Sequence, residues 1–88
     1  MSTLTDYLDQ KNAFAKILGH KTLSLQNARD RQTIANMIDS ELSPENLSCD
    51  GELSRTQINA RYKSLTKAAQ ELMQLDPSVK MYEFYTGE

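Results

Sequence analysis

The most reactive chemistry these side chains could perform would pair the only histidine, His20, with the only cysteine, Cys49. An imidazole can draw the proton from a thiol, but the base needs a third group to orient it. No such group stands at a recognisable spacing from either residue. The plainer reading is that His20 follows a helix-stopping Gly19, while Cys49 is a small residue partly covered by its loop. One His and one Cys cannot supply a four-ligand zinc site. The acids Asp39, Glu41, Glu45, Asp50 and Glu52 lack the alternate spacing and closing glutamate of a calcium loop. There is no glycine-rich phosphate loop. The expectation is therefore no catalytic residue, no metal, no cofactor and no enzyme.

Recognition chemistry is better represented, in two places. In "CDGELSRTQINARYKSL" an acidic turn gives way to a segment whose charges are all positive. Arg55, Gln57, Asn59, Arg61 and Lys63 are side chains of the kind that reach base edges or phosphates. The tail "MYEFYTGE" concentrates Met81, Tyr82, Phe84 and Tyr85, types that often anchor interfaces. Four such groups cannot all face one core from a short helix, so at least one should be exposed. Closing the open end of a bundle is the bland alternative for them.

Three segments carry a helical period and must position these residues. The first, 4–18, has the seam Leu4, Leu8, Lys11, Ala15 and Leu18, with Tyr7 and Phe14 widening it. Thr3 can cap it and Gly19 can end it. The second, 24–42, has the seam Ala28, Arg31, Ala35, Ile38 and Leu42. The third, 55–75, has Ile58, Tyr62, Leu65, Ala69 and Leu72. Ser54 and Gln57 form a capping box at its start, with Leu53 and Ile58 as the hydrophobic staple. Lys11 and Arg31 are polar residues on otherwise apolar seams, which either snorkel to the edge or fix the register.

Ser43 before Pro44 favours one helical turn anchored by Leu47. Asp76-Pro77 should end the third helix. The terminal segment 77–85 is then a short fourth helix or an extended strand of chain. Low glycine and proline, a 25% charged composition and no long apolar run fit an all-α, small three-helix bundle forming one domain over 1–88. Short connections favour antiparallel neighbours. The net charge of −2 gives no overall attraction to nucleic acid or anionic membranes. A lone cysteine, and an N-terminus unlike a signal peptide, suggest a cytoplasmic protein without membrane attachment.

The stretch "SPENLSCDGELSRTQI", 43–58, resembles the helix-turn-helix of bacterial repressors. Ser43, Leu47, Ser48, Leu53, Ser54 and Ile58 fall where that pattern wants them. Gly51 stands where the motif places a core hydrophobe, and Glu52 where its turn wants glycine. The resemblance implies DNA binding through the helix that starts at Arg55. However, about 100° per residue spreads Arg55, Arg61, Lys63 and Lys67 around the polar side rather than into one stripe. Lys67 also has Glu71 four residues on as a surface partner.

The chain's two ends, Thr5-Asp6-Tyr7-Leu8 and Pro77-Ser78-Val79 with following aromatics, are similar to the small Hha-type modulators that partner the nucleoid protein H-NS. The capping-box helix and the acidic loop depart from that family. That likeness would imply action through another regulator.

The reading that results is a regulatory or adaptor module with a protein partner, a homodimer being one form of it. A small DNA-binding regulator using 43–62 is the alternative.

Overall fold

Each helix begins where the sequence offers an acceptor to its free N–H groups. The structure, a computed structural model, describes residues 2–48, 51–81 and 85. They form α1 (Thr3–Ile17), α2 (Ala28–Glu41), α3 (Pro44–Ser48) and α4 (Arg55–Leu75), with no strand among the described residues. Ser2, rather than Thr3, caps α1 by accepting from Thr5 N at 3.1 Å. At α4 the capping box is complete, Gln57 N donating to Ser54 Oγ at 3.3 Å and Ser54 N to Gln57 Oε1 at 2.8 Å. Ser54→Ala should therefore lower stability by about 1 kcal/mol, read from urea unfolding. A loss below a few tenths would mean that the cap contributes nothing net.

α2 starts later than the sequence period suggests. Asn27 takes the cap, accepting from Arg29 N at 2.9 Å and Asp30 N at 3.3 Å. Ser24 N instead donates to Asp30 Oδ2 at 3.0 Å, which holds 24–27 as a turn. Ala28 is consequently the first helical residue and exposed, not a seam position. The stop of α1 is as expected. Gly19 has φ +75°, Gly19 N donates to Lys16 O at 3.2 Å, and His20 N donates to Ala15 O at 2.7 Å. That pair of bonds is a Schellman end, which requires the left-handed residue glycine tolerates.

Two sets of cross-links define the topology. Along α1, the Leu4 N–H meets Glu71 and Tyr7 meets Glu41, which also binds Arg61. Along α2, Arg31 meets Asp76 and Glu41 meets Arg61. α1 and α2 are therefore both antiparallel to α4 and run in the same sense as each other. The connection 18–27 makes this possible by folding back on α1. The Asn12 amide holds Leu23 at both ends, accepting from Leu23 N at 2.9 Å and donating to Leu23 O at 2.8 Å. The expected antiparallel pairing of the first two helices is thus replaced by a crossover. Glu71 turns to the N-terminal end of α1, where the helix dipole favours an acid, and accepts from Leu4 N at 3.3 Å.

The core is Leu4 and Leu8 of α1, Ile34, Ala35, Ile38 and Leu42, Leu47 of α3, Leu65, Ala68, Ala69 and Leu72 of α4, and Val79. Ile58 and Tyr62 are half-buried against it, so the α4 seam is covered along its length. Leu47 is the expected anchor of α3, whose first turn Ser43 caps through Asn46 N at 3.3 Å. No helix among the described residues is long and apolar enough to cross a membrane.

Beyond α4 the described residues 77–81 are not helical. Asp76 Oδ1 accepts from Ser78 N at 3.0 Å and Ser78 Oγ at 2.6 Å, closing a side-chain turn that diverts the chain. The expected short fourth helix is therefore absent from 77–81, which begin with a turn.

Candidate functional surfaces

The two polar seam residues identified from sequence both find acids. Arg31 Nε donates to Asp76 Oδ2 at 2.6 Å while its Nη1 donates to Leu25 O at 2.8 Å. It thereby ties the start of α2 to the end of α4 and to the crossover. Its partner Asp76 is held down to about 2 by the Ser78 hydroxyl first and the Arg31 guanidinium next. A lowered carboxylate contributes stability above its ordinary value near 4 and loses it as pH falls through its folded value. The stability gap between the wild type and Asp76→Asn should accordingly shrink as pH falls from about 4 to about 2, followed by circular dichroism in urea. A constant gap would contradict the assignment.

Lys11 Nζ reaches Glu41 Oε1 at 3.2 Å, and Arg61 Nη2 reaches the same oxygen at 3.1 Å. The Tyr7 hydroxyl donates to Glu41 Oε2, and Lys11 Nζ lies 5.4 Å from the centre of the Tyr7 ring. One carboxylate at the end of α2 therefore joins α1 and α4. Burial of Tyr7 and its bond to Glu41 push its phenol well above the usual value, opposed only by the nearby Arg61. Beside this cluster runs an open groove of about 840 Å³, lined on the α2 side by Thr33, Asn36, Met37 and Ser40. The cluster has no nucleophile with an oriented base; its one carboxylate is shared by Tyr7, Lys11 and Arg61, while Arg61 Nε is buried without a hydrogen-bond partner. Its role is to fix the helices. In the sequence Glu41 stands only as one of five acids between Asp39 and Glu52. The signal that points to it is Tyr7 and Lys11, four apart on α1, which together need an acid.

The tail anchors lie where the core closes. Val79 is buried, and Met81 and Tyr85 are half-buried against the core. The Gln32 amide grips the Lys80 backbone in both directions, at 2.9 and 3.1 Å, and Tyr85 N donates to Asp39 Oδ1 at 2.8 Å. Lys80 and Tyr85 are thus tied to α2. Tyr82, Phe84 and Cys49 lie outside the described residues.

Of the base-reading candidates, Arg55, Asn59 and Lys63 are exposed. Gln57 is exposed too, but its side-chain oxygen serves the capping box. Arg61 is bound to Glu41 and half-buried. α3, its turn and α4 do form a helix, a turn and a helix, yet Gly51 is exposed at φ +87° with nothing within 4 Å of an added Cβ. It fills no core position of the repressor-type motif. His20 is exposed. No group of three or more metal-ligating side chains occurs among the described residues.

The largest departure from the sequence period is at the end of α1. Leu18 and Phe14, expected on the buried stripe, are 61% and 66% exposed, and Ile17 is 79% exposed. α1 buries only Leu4 and Leu8, both in its first half. Residues 13–18, AFAKIL, are apolar at every position but one. A helix end apolar nearly all round cannot turn every group to one core, and that is the signal the seam reading passed over. No protein-family model, no curated protein sequence and no solved structure matches this chain.

Proposed function

We propose that this chain is a non-enzymatic regulatory or adaptor module, acting in the cytoplasm by binding another protein. The observation that carries this reading is the uncovered apolar end of α1, where Phe14, Ile17 and Leu18 stand in water. Contiguous exposed apolar groups of this size typically mark an interaction surface on a small protein. The tail residues Met81 and Tyr85 contribute less free surface than their types suggest, because both pack on the core. A chain in which Phe14, Ile17 and Leu18 are all replaced by Ser should keep its helicity. It should also lose at least tenfold in partner recovered by affinity capture. Undiminished recovery would refute the reading.

DNA binding through 43–62 has weaker support, since Gln57 and Arg61 are engaged within the fold. Salt-dependent retention on DNA, lost in Arg55→Ala with Lys63→Ala, would establish it instead.

A further inference from the structure

We infer that the C-terminal end of α1 docks an acidic, amphipathic helix of a partner protein, an inference that rests on the adaptor reading and names the chemistry of its partner. Lys11, Phe14 and Leu18 stand at i, i+3 and i+7 and share one side of α1, with Ile17 beside them. This is the stripe that a second helix covers when it lies along the first, its own apolar groups spaced alike. An extended occupant would instead need a free strand edge, and there is none among the described residues.

Charge selects the sign of the partner. Between Asp9 and Asp30 the sequence has Lys11, Lys16, Lys21 and Arg29, with His20, and no acid. Lys16, His20 and Lys21 are exposed around the apolar patch. Lys16 also complements the negative end of α1, but Lys21 and His20 lie past the Gly19 stop and serve no helix. Lys11 and Arg61 share the single carboxylate of Glu41, with Lys11 also over the Tyr7 ring, so this trio is net positive beside the patch.

A second copy of the chain fits poorly. A two-fold contact centred on Phe14 and Leu18 would set the same lysines against themselves. An anionic membrane fits poorly as well, because the chain carries a net charge of −2 and three apolar side chains give a shallow anchor.

The test is selection from a displayed library of random 18-residue helical peptides. The bait is the full chain, and peptides that bind the Phe14→Ser/Ile17→Ser/Leu18→Ser chain are removed. The expected winners carry apolar residues at i, i+3 or i+4 and i+7 and a net negative charge. Their affinity should fall at least tenfold when salt rises from 50 to 300 mM, and at least tenfold in Lys16→Glu/Lys21→Glu. That charge variant changes only exposed side chains, so it serves should the triple variant fail to fold. Several results overturn the inference: no enriched peptide, winners that are neutral or basic, equal affinity for the charge variant, or self-association that buries the patch. Binding to phosphatidylserine vesicles in the absence of peptide binding would also overturn it, by making lipid the occupant. If no peptide is enriched while partner capture still depends on Phe14, Ile17 and Leu18, the acidic-helix inference fails and the adaptor reading stands.

Discussion

Glu41→Gln should lower the unfolding free energy by about 2 kcal/mol, a large share for a domain whose total is expected at about 5–10 kcal/mol. The replacement keeps the side chain's shape but removes the charge that Lys11 and Arg61 share and the charged acceptor of the Tyr7 hydroxyl. Breaking a fully buried pair costs about 3–5 kcal/mol. Both cations here reach solvent, so their part is discounted, and the half-buried hydroxyl supplies the rest. Tyr7→Phe combined with Glu41→Gln should add less than Tyr7→Phe costs alone, because both changes remove one bond.

The same cluster dictates an alkaline response. The Tyr7 phenol titrates above its ordinary value of 10, so its stabilising share is whole below pH 10 and is lost as pH rises beyond it. Tyr7→Phe lacks that component, and its stability should fall less between pH 9 and 11. Equal slopes would mean that burial and the Glu41 bond do not hold the Tyr7 phenol protonated.

Leu72→Ala should cost more, about 3–4 kcal/mol. Leu72 is among the largest fully buried side chains and stands on the helix against which α1, α2 and α3 all pack. Truncation there removes the transfer energy of the lost methyl groups and leaves a cavity that a rigid helix cannot collapse to fill. Leu75, one turn along, is largely exposed. Leu75→Ala should change stability by no more than about 0.5 kcal/mol. A comparable loss for the two leucines in urea unfolding would mean that the buried side of α4 is misplaced.

These contrasts indicate what the sequence makes legible. The end positions of helices depend on residues within four of each other, and Gly19, Ser54 with Gln57, and Pro44 declare themselves without reference to the rest of the chain. The α4 seam is legible for the same reason, since period alone selects Leu65, Ala69 and Leu72. Handedness of connection is not local. Nothing in the period of 4–18 and 24–42 reveals that Asn12 will clasp Leu23 and bring the chain back beside α1. Once that crossover is made, α1 and α2 both face α4, and Phe14, Ile17 and Leu18 at the end of α1 stay exposed. Phe14 and Leu18 carry the right period for a core and lack only a neighbour, a property of the assembly rather than of the segment. Glu41 illustrates the same limit. Its position at the end of α2 says nothing of Tyr7, 34 residues earlier in the chain.

Methyl and ring resonances in the presence of a soluble paramagnetic agent test the uncovered end of α1 most directly. Phe14, Ile17 and Leu18 should broaden strongly, with Leu4, Leu8 and Leu72 protected. Protection of Ile17 and Leu18 equal to that of Leu8 in the isolated chain would contradict it, because the surface proposed for the partner would not then exist.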